Sequence, residues 1–320
     1  MKKEAAKLSL KDRVASVFSQ YGIYVAFIVI CIFFTIVNPV FISPNNLINM
    51  VRQVSFNAIL GMGMMVVILT GGIDLSVGSV LALSAVVTGS LIRTSAPVMP
   101  VIPAIIIGLG VGALCGLFNG FVITRGKLAP FIVTMVMQTA ARGITQLYTK
   151  GRPMTGLGEK FSFIGSGYAL GIPIPIYILA AIVAMTFFIL NKTKIGRYLY
   201  AVGGNEPAAK ASGIKVERIK LFAYTFTGIM SAIVGIMMSA RLNSATPVLG
   251  VGYEQDAIAA AVIGGTSMEG GRGKVMGTLI GALIIGTITN GLDILNVSPY
   301  WQQIIKGAII LIAVLLDKKN

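Results

Sequence analysis

The chain has 320 residues, 55% of them hydrophobic and only 12% charged, against about 25% charged in an ordinary soluble domain. A mean hydropathy of +0.86 and apolar runs of bilayer-spanning length place it in a membrane. It has no histidine, two cysteines and eleven carboxylates, which removes the commonest general base and metal ligand and leaves no catalytic constellation. The net charge of +15 raises nucleic acid as a partner, but the basic residues sit in short loops between apolar runs, where they fix membrane topology instead.

Residues 1–20 are polar and carry no signal-peptide cleavage site, so they are expected to be a cytoplasmic N-terminal segment. Residues 21–320 read as one all-α, polytopic transmembrane domain. Its apolar segments fall near 21–37, 54–71, 74–92, 98–124, 129–149, 172–190, 219–241, 255–267, 275–292 and 299–316. That gives about ten crossings, or eight if the short and glycine-broken segments are partial; 255–267 is the weakest, below the ~20 residues a perpendicular span needs. With the N-terminus inside, the inner loops hold eighteen Lys and Arg and the outer side six. This excess predicts both termini in the cytoplasm. Arg142 and Lys306 fall within spans, and Cys31 and Cys115 sit in apolar runs as small buried hydrophobes.

The first interruption in chain order is 68–79, ILTGGIDLSVGS. Gly71 and Gly72 break the apolar run, and Asp74 and Ser76 follow. A carboxylate beside a helix break needs water or a partner; Asp74 reads either as a cap for the next helix or as a gating residue. Next, Gly108, Gly112, Gly116 and Gly120 recur every four residues, a stripe that lets helices approach closely in lipid. Gly277 and Gly281 repeat it. Whether such stripes are static packing faces or moving ones is open.

The longest inner loop, 191–218, has a helix-compatible centre. Asn205 suits the N-cap, Glu206 and Pro207 the first turn, and Gly213 the C-cap. So short a helix makes sense if it docks into a partner. The second interruption, 262–277, reads VIGGTSMEGGRGKVMG and imitates a phosphate loop. The match fails at two fixed positions: Met268 stands where a glycine is required, and Val275 follows Gly273-Lys274 where a hydroxyl is required. Gly264, Gly265 and Thr266 therefore read as part of a turn between membrane helices. Its likeness to the first interruption suggests two related halves with broken helices at matching places.

Four stretches carry a resemblance: ILTGGIDLSVGS, GRYLYAVGGNEPAAKASGI, GYEQDAIAAAVIGGTSMEGGRGKVMGTLIGALIIG and PYWQQIIKGAIILIAVLLD. They resemble the membrane permease subunits of monosaccharide ABC importers, with ribose permeases nearest, over residue 20 to the end. The resemblance implies a pore of two permease copies in the bacterial inner membrane, a separate ATPase that uses ATP and Mg, and a periplasmic or lipid-anchored sugar-binding protein. It also implies that Asn205, Glu206, Ala208, Ala209, Lys210 and Gly213 belong to the coupling helix facing the ATPase. Pro207, between Glu206 and the alanines, departs from the family's spacing. No cofactor is expected on this chain. Sugars need hydroxyl-bonding groups and stacking rings, and Asn57, Tyr253, Glu254, Asp256 and Trp301 are the candidates for the pathway; helix capping and interfacial anchoring are the alternative roles. Two other cargo schemes stay open: an ABC permease for branched-chain amino acids or another small polar solute, and an ion-coupled secondary transporter.

Overall fold

The computed structural model describes residues 10–317. Among these, thirteen α-helices follow in order: α1 Leu10–Val37, α2 Pro44–Ile68, α3 Val77–Ile92, α4 Val101–Gly126, α5 Pro130–Thr149, α6 Glu159–Ser166, α7 Ile174–Lys192, α8 Lys194–Gly204, α9 Glu206–Ala211, α10 Val216–Leu242, α11 Tyr253–Ile263, α12 Val275–Ile294 and α13 Pro299–Asp317. Each of the ten apolar segments coincides with one helix. Five of these helices (α2, α4, α7, α10 and α12) are long and apolar enough to cross a membrane. The helix α1 begins at Leu10, so the expected boundary near residue 20 falls inside it; residues 1–9, with Lys2, Lys3 and Lys7, lie outside the described part.

An apolar helix buried on all sides belongs at the centre, whereas one with an exposed apolar face belongs at the rim against lipid. The helix α2 is central, with every residue from Val54 to Leu69 buried, and it packs against α7, α10, α11 and α12. Around it, α4 and α7 expose Ile102, Ile106, Phe118, Phe187 and Phe188. The glycine stripe on α4 is a packing face. A β-carbon on Gly112 would overlap the Gly228 carbonyl of α10, and one on Gly116 the Tyr224 carbonyl. Gly277 and Gly281 bring α12 against Gly264 and Ala260 at the end of α11 in the same way.

The stretches 150–171 and 246–252, which lie between the apolar segments, have a defined course. In the stretch 150–171, α6 lays Phe161 into the core and sets Gly165 against the α10 backbone. Beside it, β1 (Met154–Thr155) pairs antiparallel with a strand at Ser244–Ala245, and a small hairpin joins Tyr168–Ala169 to Ile172–Pro173. The eleven-residue α11 is about 16 Å long at 1.5 Å per residue, roughly half a hydrocarbon core. Residues 246–252 precede it as a non-helical stretch that runs beside α3, with Ala245 against Gly89 and Gly250 against Gly78.

Candidate functional site

Three segments distant in sequence meet at one end of the bundle. After α2, Gly71 turns the chain with φ +72°, and Leu69 leaves its carbonyl free of the helix ladder. The Gly271 amide, in the turn after α11, donates to that carbonyl at 3.0 Å. That turn is closed by Ser267 N–H to Arg272 O at 2.9 Å and Gly270 N–H to Ser267 O at 3.0 Å, with Gly265, Gly270 and Gly271 at positive φ, a backbone that glycine adopts without a steric penalty. The segment that imitates a phosphate loop thus forms a tight turn in which the amides of Gly265, Thr266, Ser267, Gly270 and Gly271 donate to neighbouring backbone.

The third segment is α8, which the sequence reading left as loop. Thr193 accepts from the Gly196 amide at its start, and Leu199 and Val202 share a buried face, the spacing of an amphipathic helix. Gly203 at its end fits between the Leu69 carbonyl and the Gly271 amide, where any side chain would collide with backbone. Tyr200, one turn earlier, donates to the Gly273 carbonyl at 2.9 Å. Burial pushes the Tyr200 phenol up from its ordinary pKa, in the direction of the neutral donor form that any phenol already holds at physiological pH.

The helix α9 follows directly. Asn205 accepts from the Ala208 amide at 2.9 Å, Pro207 stands in the first turn, and Gly213 takes φ +83° after the last turn. On this helix of six residues the N-cap is the expected Asn205, while the C-cap is Ser212 and Gly213 follows it at positive φ. Of the two alanines, Ala208 is exposed and Ala209 is buried, so Ala208, Lys210 and Ala211 form the open face. Glu206 bonds Lys220 Nζ at 2.7 Å and so ties α9 to the first turns of α10.

Beyond the first break, Asp74 Oδ1 accepts from both the amide and the hydroxyl of Ser76, at 2.9 and 2.6 Å. Asn119 Nδ2 donates to the Ser76 hydroxyl at 3.0 Å, and all three side chains are buried. Asp74 therefore organises the turn into α3 through the residue just before that helix. Gly72 is packed against the Tyr224 hydroxyl, and Thr266 meets Thr278 across the second break at 3.5 Å.

The five candidate pathway residues do not converge. Tyr253 lines a cavity of about 300 Å³ with Gln53, Phe56, Met238, Arg241 and Leu242. Asn57 lies one turn along α2 from Gln53, buried, its Oδ1 without a protein partner. Glu254 turns the other way and accepts from Gln138 at 3.2 Å. Asp256 is paired with Lys306 of α13 at 3.0 Å, and Trp301 stands exposed on that helix. Sequence reasoning missed Arg142, Gln138 and Lys306 as partners in these arrangements. A charge inside an apolar run was the available signal for Arg142 and Lys306, since such charges are tolerated only when paired.

A helical bundle with five helices long and apolar enough to cross a membrane, two glycine-broken elements and a capped helix pair joined to both breaks suits a membrane transport subunit. The family model that matches residues 46–314 is described as branched-chain amino acid transport system / permease component. The ribose import permease protein RbsC of Bacillus subtilis (strain 168) is 49% identical over 95% of this chain and 94% of its own length. That of Escherichia coli (strain K12) is 44% identical, covering 92% of each chain. The galactose/methyl galactoside import permease protein MglC of the same organism is 39% identical over 92% of this chain and 93% of its own length. No solved structure matches the chain. The chain belongs to this family of transport-system permease components; it is a multi-pass membrane transport subunit and not an enzyme.

Proposed function

We propose that this chain is the permease subunit of an ATP-driven importer in the bacterial inner membrane, and that its cargo is ribose. The observation that carries the reading is the junction of Leu69, Gly203 and Gly271, which joins a surface helix pair to both interruptions of the membrane core. Cargo follows from the relatives: those with the highest identities given above carry ribose import in their names, against the amino acid wording of the broader family.

In this reading α9 docks on a separate ATPase through Asn205, Ala208, Lys210 and Ala211, with Ala209 and Gly213 shaping the helix. ATP and Mg are used by that ATPase. A displacement of α9 passes along α8 and, through the Glu206–Lys220 pair, into α10. At Gly203 it reaches backbone directly, so no flexible side chain absorbs it. The breaks at Gly71, Gly72, Asp74 and Ser76 and at Gly264, Gly265 and Thr266 then shift together and open the pathway. Both termini are cytoplasmic, the stretch 246–252 and α11 together make one crossing of ten, and two copies enclose the path. A sugar-binding protein delivers the cargo from the outer side. Gln53, Phe56, Arg241 and Tyr253 supply ring faces and donors suited to a sugar near the outer mouth; Asn57 brings an unpaired amide oxygen close by on α2.

The test is labelled-ribose uptake into vesicles holding the chain, its ATPase and the binding protein, with unlabelled competitors. Competition by ribose and not by leucine supports the reading; competition by leucine alone moves the cargo to amino acids.

A further inference from the structure

The helix α5 presents Thr134, Gln138 and Arg142 four residues apart, on one face. Each reaches a break in the core or the first turn of a helix that follows one. Thr134 donates to the Ile73 carbonyl in the first break at 3.4 Å, and Gln138 donates to Glu254 in the first turn of α11 at 3.2 Å. Arg142 does most. Its guanidinium donates to Pro247 O at 2.5 Å and Leu249 O at 2.9 Å in the stretch before α11, and to Gly78 O at 3.1 Å in the first turn of α3. Unwound backbone at membrane depth leaves carbonyls that need donors, and a charged group there needs acceptors. A planar guanidinium meets both needs at once, and its five donors in a fixed fork reach separate carbonyls that an ammonium must serve from a single nitrogen.

We infer that Arg142 is the positioning residue of an outer gate: it fastens residues 246–252, which enter the bundle from the end of α10, to α5 and to the first turn of α3. Gly250 and Gly78 let the two backbones lie close enough for one guanidinium to reach both. Leu249 is buried under this fastening, while Val248 and Val251 on either side of it are exposed. The inference takes its inner and outer sides from the proposed topology, but its test needs neither sugar nor ATP.

The probe is a thiol at position 249. Leu249→Cys is placed in the full chain with Cys31→Ser and Cys115→Ser, and a membrane-impermeant maleimide is applied to right-side-out vesicles. Removing the fastening by Arg142→Ala speeds labelling about tenfold or more, from the loss of charge-assisted hydrogen bonds. Arg142→Lys, which keeps the charge without the fork, falls between, and it is the variant read if Arg142→Ala does not insert. Val234→Cys, buried on α10, is the control and stays unlabelled in every background. Equal labelling with and without Arg142 overturns the inference, as does a parallel rise at position 234, which reports general loosening. Labelling confined to inside-out vesicles overturns the outer placement.

Discussion

Gly203 lies against the Leu69 carbonyl so closely that a β-carbon on residue 203 would overlap it, while its neighbour Gly204 has open space where a β-carbon would go. Two adjacent glycines in one helix end therefore make opposite predictions. Gly203→Ala must push α8 away from both breaks, and ATP-driven uptake falls by about tenfold or more because neither colliding group is a side chain that can move aside. Gly204→Ala leaves uptake near the parent value. Uptake and ATP hydrolysis measured on the same vesicles check the pair, with hydrolysis expected to persist in the Gly203 variant.

The α4–α10 contact gives a similar contrast in stability. A β-carbon on Gly112 meets the Gly228 carbonyl, whereas one on Gly110 meets nothing within 4 Å. Gly112→Ala is expected to destabilise by about 1–3 kcal/mol, and Gly110→Ala to be neutral. Thermal unfolding of the detergent-solubilised protein separates them.

The pair Lys306–Asp256 joins α13 to α11 at 3.0 Å with both side chains mostly buried. Removing one partner leaves an uncompensated charge, at a cost of about 3–5 kcal/mol. Lys306→Ala is therefore strongly destabilised, and Lys306→Met with Asp256→Asn recovers most of the loss. Yield of folded protein after solubilisation and its unfolding midpoint report both.

Asn205 caps a helix of only six residues, too short to persist without its cap and its neighbours. Asn205→Ala costs about 1 kcal/mol and weakens binding of the ATPase, measured by co-purification, while Asn205→Asp or Asn205→Ser retains it. Loss of binding in all three variants would remove the cap as the reason.

The long helices were legible because an apolar run of membrane length permits little else. The weak segment 255–267 was legible as weak, and it became the half-length α11 behind an unwound stretch. The ends of α9 were also readable from Asn205, Pro207 and Gly213, since each is a local preference. What the sequence did not disclose is long-range. Leu69, Gly203 and Gly271 meet across some two hundred residues, and no local pattern records which carbonyl a glycine will face. Arg142 and Lys306 were visible as charges within spans, but their partners lie 105 and 50 positions away. The helix α8 was missed because it is short, carries Gly196, Gly203 and Gly204, and has a narrow buried face resting on Leu199 and Val202.

The most direct test of ATP-driven sugar import is labelled-ribose uptake by sealed vesicles, with the chain, its ATPase and a sugar-binding protein added singly and together. Uptake that requires ATP and all three components is the predicted result. Uptake by this chain alone, driven by a sodium or proton gradient, would contradict it and turn attention to Asp74 as an ion-coupling group.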